Sequence, residues 1–117
     1  MNPLPQPVDW EQLDVIAFDY APEFVDIYRE FADGVPGMID ALEAAAAEGS
    51  LDAIVKAAHK IKGSALNFGF AALGGIAAAT ESDARDGRAP GDVPGLVAAL
   101  RDAFSRATEE VRQKKGF

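Results

Sequence analysis

The stretch EFVDIYREFADGVPGMIDALEAAAAE, residues 23–48, decides how many long helices this chain contains. At its centre, Gly34-Val35-Pro36-Gly37 has the composition of a turn. Yet Phe24, Ile27, Phe31, Val35, Met38, Leu42 and Ala45 keep a single three- and four-residue spacing straight through it. A loop would reset that phase. The spacing therefore predicts one long helix bent at Pro36, with two helices in line as the alternative.

Outward from that segment, the punctuation is regular. Pro22 suits a helix start, and Gly49 followed by Ser50 suits one helix end and the next N-cap. Leu51, Ile54, Ala58, Ile61, Ala65 and Phe68 then form an inward stripe that Gly69 closes. Leu73, Ile76, Ala77, Thr80 and Ala84 mark a further helix ending near Gly87, although Gly74-Gly75 weakens it without an evident reason. Arg88 to Gly91 reads as a loop, and Asp92 caps a last helix whose stripe is Leu96, Val97, Leu100, Phe104, Ala107 and Val111. Upstream, Asp9 with Gln12 has capping-box spacing for a short helix that turns Trp10, Leu13 and Ile16 inward. No run alternates with period two. The predicted fold class is all-α, an up-and-down four-helix bundle with a short extra N-terminal helix. Three prolines in the first seven residues predict a flexible arm over 1–8, leaving 9–117 as the bundle domain.

The 117 residues suffice for one hydrophobic core. A net charge of −8 argues against nucleic acid and anionic membrane surfaces as partners, since both are held by Lys and Arg. The chain has no cysteine, which excludes disulfides, thiolate metal sites and cysteine nucleophiles. The first residues lack the basic and apolar regions of a secretory signal, and no stretch approaches the roughly 20 apolar residues of a membrane span. A cytoplasmic setting is expected. Because the stripes are used up within one bundle, so is a monomer.

His59, the only histidine, stands in the run His59-Lys60-Ile61-Lys62-Gly63-Ser64. At about 100° per residue, His59 departs by roughly 130° from the mean direction of its helix's inward stripe, so it faces solvent or a groove edge. Asp52 and Gly63 share that outer sector, with Val55 and Leu66 on one side and Lys62 beyond them. Lys56 lies on the opposite flank. A glycine one turn after the histidine, in a chain that otherwise favours alanine, implies a partner that needs even the methyl group removed. Considered singly, a lone histidine is more often an ordinary surface or core residue, and each lysine an ordinary solvated one. Their gathering around the one imidazole favours chemistry there. An imidazole is substantially neutral and nucleophilic near pH 7, since its reference pKa is about 6.5, and it can accept a phosphoryl group. The chain has neither a GxxxxGK[ST] loop nor a protein-kinase signature, so that group must arrive from another protein.

The run Ala58-His59-Lys60-Ile61-Lys62-Gly63-Ser64-Ala65-Leu66-Asn67-Phe68-Gly69 resembles the histidine-containing phosphotransfer (HPt) family. The likeness lies in a histidine followed by an apolar residue at +2, Lys at +3, Gly at +4, a small residue at +5 and Gly at +10. A weaker likeness extends from about Pro22 to Val111. The resemblance implies a four-helix bundle that relays a phosphoryl group between receiver-domain aspartates in a multistep two-component phosphorelay. His59 is then the phosphoacceptor, Lys62 the phosphoryl-stabilising residue, Gly63 the clearance position and Ser64 a supporting residue. Val55, Lys56, Leu66 and Asp52 form the expected partner face. The implied partners are response-regulator receiver domains and a hybrid sensor kinase. The implied carrier has no nucleotide site, metal or cofactor of its own, the Mg²⁺ being the receiver's. Lys60 occupies a position that is often Ser or Thr in the family. No kinase or regulatory domain follows, which favours a free-standing carrier over a detached chemotaxis-kinase-type phosphotransfer domain. A helical adaptor that binds receiver-like partners without phosphate is the rival of a different class.

Overall fold

The computed structural model describes residues 6–117, which form five α-helices and, among the described residues, no strand. The helices are α1 (Trp10–Ala17), α2 (Pro22–Glu48), α3 (Leu51–Asn67), α4 (Ala71–Arg85) and α5 (Val93–Lys115). A 3₁₀ turn over Phe18–Tyr20 joins α1 to α2. Helix α3 packs between α2 and α4, and α5 closes the bundle against the same two. Capping follows the sequence. Asp9, Ser50 and Asp92 accept from the backbone N–H groups of Gln12, Ala53 and Gly95 at 3.2, 3.3 and 3.0 Å. Each satisfies one of the donors a helix start leaves over.

Helix α2 runs unbroken for 27 residues through Pro36, so the in-line pair is excluded. Pro36 is exposed and lacks the N–H that would serve the Ala32 carbonyl, a local loss. Val35 and Ile39, each 1% exposed, anchor the helix in the core on either side of it. Tertiary burial thus outweighs the turn-like composition. The inward stripe differs from the predicted one in its detail. Tyr28 and Ile39 are buried, Met38 is half-buried, and Ile27, predicted inward, is 55% exposed. The predicted stripe lies one residue off at two turns, where adjacent apolar residues offer equal spacing.

The remaining stripes are close to expectation. Leu13, Ile54, Ala58, Ile61, Ala65, Leu73, Leu100, Ala107 and Val111 are all 1% exposed or less. Trp10, Ile16, Leu51, Ile76, Leu96 and Phe104 are half-buried at the core's edge. At one end of the bundle Phe31 stacks on Phe68 at 4.3 Å, with Phe70 edge-on to Phe31 at 5.0 Å. That aromatic cluster ties the α3–α4 turn to α2. Helix α1 latches onto the same turn: the Asp9 N–H donates to the Gly69 carbonyl at 2.6 Å. Gly69 has φ +74°, and a Cβ there would lie 2.6 Å from the Asp9 carbonyl oxygen, so glycine is required twice over. Of the arm expected over 1–8, residues 1–5 lie outside the described residues. Val8, 3% exposed, is a core residue rather than part of a loose arm.

Candidate functional site

Around His59 the structure assembles residues from two neighbouring helices. His59 stands mid-way along α3 on its outer face, with 61% of its side chain exposed. Directly across the α3–α4 seam lies Glu81, 4% exposed, set among Ala77, Thr80 and Ala84 on the buried side of α4. His59 Nδ1 is 2.9 Å from Glu81 Oε2. Lys62 Nζ meets the other oxygen, Oε1, at 2.6 Å. Arg85, one turn on from Glu81, donates to Oε2 from Nη2 at 2.7 Å and from Nε at 3.2 Å. These side chains, with Ala78 and Ser82, line an open alcove of about 320 Å³.

Glu81 controls the electrostatics. Hydrogen bonds from Lys62 first, then Arg85, and more weakly His59, lower its carboxyl from an ordinary 4.5 to about 2 against the opposing effect of desolvation. An ionised carboxylate only accepts. The Nδ1 facing it must therefore carry the proton, and in the neutral ring this leaves the Nε2 lone pair free. Because the Glu81 pKa is depressed on folding, its contribution to stability is complete above pH 4.5 and is lost as pH falls towards 2. Glu81→Gln should accordingly lower the melting temperature most at neutral pH. The gap from the parent chain should close between pH 4.5 and about 2 in a series of thermal melts. A gap independent of pH would show that the charge is not what stabilises.

Gly63, one turn beyond His59, is exposed, and a Cβ placed on it would meet no atom within 4 Å. It borders a second depression, of about 670 Å³, between α2 and α3, whose walls include Ile27, Glu30, Ser64 and Asn67. Ser64 is half-buried and turns to that α2 side, away from the alcove. Lys56 pairs with Asp52 at 3.1 Å, both strongly exposed, so Lys56 stands apart from the Glu81 cluster. Val55 is half-buried against the core. Leu66, 46% exposed, lies against α4 at Gly74.

The family model of the Hpt domain matches residues 26–112. The chain belongs to the Hpt domain family. Neither a curated protein nor a solved structure matches it. Hpt domains serve histidine phosphotransfer in phosphorelays, as phosphocarriers rather than catalytic enzymes, and they interact with receiver domains. The Hpt match begins within α2, so α1 and the 3₁₀ turn lie outside it. Among the described residues, no helix is long and apolar enough to cross a membrane, and no group of three or more His, Asp or Glu is placed to hold a metal ion.

Of the residues singled out from sequence, the structure brings His59 and Lys62 together at one carboxylate and sets Gly63 open beside them. Sequence reasoning assigned no role to that carboxylate or to Arg85. A signal was present. Glu81 falls on the inward sector of α4, and a charge there needs partners, one of which is the arginine four residues on.

Proposed function

We propose that this Hpt domain is a phosphocarrier in which Nε2 of His59 accepts a phosphoryl group from a receiver aspartate and passes it to another. The single observation that carries this reading is the exposed imidazole whose Nδ1 is held by an ionised, buried carboxylate. In the forward step the N–P bond to Nε2 forms in line as the P–O bond of the aspartyl phosphate breaks, and the aspartate leaves as a carboxylate. Such transfer depends on positioning and charge stabilisation more than on covalent help from the protein. Glu81 fixes the ring's orientation and tautomer. Its negative charge also offsets the positive character that the ring gains as Nε2 becomes bonded to phosphorus. Lys62 and Arg85, two cations on one carboxylate, leave the alcove with a surplus positive charge where phosphoryl oxygens arrive. Gly63 gives the receiver its approach, and Leu66 with Val55 offers apolar contact. The receiver supplies the Mg²⁺ site.

The test is incubation of the purified chain with a phosphorylated receiver. The expected product is one phosphate per chain, labile in acid and stable in alkali, as an N–P bond requires. A chain that binds receivers yet gains no such phosphate would instead be the helical adaptor.

A further inference from the structure

Gly74 has an unusual neighbour. A Cβ built on it would lie 2.5 Å from Leu66 Cδ2 and 2.7 Å from Leu66 Cγ, while the next nearest atom, Ala65 Cβ, is at an ordinary 3.6 Å. The glycine is therefore the resting place of one flexible side chain and not a condition for the two backbones to meet. That side chain belongs to the outer face of α3. Leu66 is three residues beyond Gly63, and long side chains on a helix lean back over the preceding turn. The turn beneath Leu66 is that of Lys62 and Gly63. On one side of Leu66 is Gly74, which receives it, and on the other is Gly63, where the space for a side chain is empty.

We propose that Gly74 is a positioning residue for receiver docking: by holding Leu66 down on α4 it keeps the surface over Gly63, beside His59, open to the partner. The inference rests on the phosphocarrier reading above and extends it to a residue of another helix. Clearance at the site then depends on two glycines rather than one. With a methyl group at position 74, Leu66 must lift from α4, and the open volume nearest to it is the one over Gly63. The receiver would meet an isobutyl group where it now meets bare backbone.

A double-mutant cycle on the full chain tests this, with Gly74→Ala made in the parent and in Leu66→Ala. Phosphate uptake is measured from a phosphorylated receiver and from phosphoramidate. That small donor breaks its own P–N bond, loses ammonia and needs no docking. Gly74→Ala should slow uptake from the receiver at least tenfold where Leu66 is present and less than twofold in the Leu66→Ala background. Uptake from phosphoramidate should be unchanged in both. Equal slowing in both backgrounds, or none, overturns the proposal. Methyl NOEs decide its geometric half without any receiver. A Leu66 methyl should contact Gly74 in the parent and Gly63 in Gly74→Ala, and an unmoved leucine overturns it. So does a Gly74→Ala chain that melts far below the parent and recovers when Leu66→Ala is added, because then the leucine cannot leave α4. If the parent takes phosphate from phosphoramidate but from no receiver, the carrier reading fails, and the NOEs still decide the position of Leu66.

Discussion

His59→Gln should carry no acid-labile, alkali-stable phosphate after incubation with a phosphorylated receiver, at any receiver concentration, while melting close to the parent chain. Stability should hold because the lost group is 61% exposed and its contact with Glu81 is only one of three that the carboxylate makes. The loss of label should be complete because the chain holds no second imidazole and no cysteine. Other acceptors would declare themselves by their chemistry. An aspartyl or glutamyl phosphate is destroyed by alkali, and a seryl or threonyl ester survives acid. A label on the variant with the stability of an N–P bond would move the acceptor to a nitrogen such as that of Lys60 or Lys62, and would remove His59 from the role. Receiver binding should persist in the variant, since Gly63, Leu66 and Val55 are untouched. Binding without label is therefore the expected combination.

How much of the molecule is legible in its sequence varies with the kind of information a residue carries. The existence and order of the helices can be read because burial imposes a spacing. In α3, where apolar residues are interrupted by Lys56, Lys60 and Lys62, the stripe agrees residue for residue except for the half-buried Leu51. In α2 the pairs Ile27–Tyr28 and Met38–Ile39 are adjacent and both apolar, so spacing alone does not say which member turns inward. Gly34-Val35-Pro36-Gly37 has the composition of a turn, yet the unbroken spacing through it already says that the helix continues, and the core contacts of Val35 and Ile39 are what that spacing reports. The exposure of His59 follows from helix angles within one element. Its partnership with Glu81 does not, being a relation between residues 22 apart on two helices, and it depends on the register in which α3 and α4 pack. Gly74 shows the same division. As a helix residue it reads as a weakness, and its reason emerges only once Leu66 of the neighbouring helix lies across it.

Gly63 separates stability from function in a way that few positions do, and substitution there should move the two in opposite directions. Glycine in a helix interior is about 1 kcal/mol less favourable than alanine. At Gly63 an added Cβ meets nothing within 4 Å, so alanine brings no clash to offset that gain. Gly63→Ala should therefore raise the melting temperature, and a larger residue such as Gln should leave it near the parent value or above. Transfer should fall in the same series, modestly for Ala and by about 100-fold for Gln, because displacing the reacting atoms by an ångström can cost that much. The displacement arises in the complex, so uptake from phosphoramidate should persist in every variant. Thermal melts and receiver-dependent uptake on one set of proteins decide the matter. A folded Gly63→Gln chain that exchanges phosphate at the parent rate would mean that the partner does not pass over this turn. A fall in stability along the series would mean instead that the glycine answers to a constraint inside the bundle.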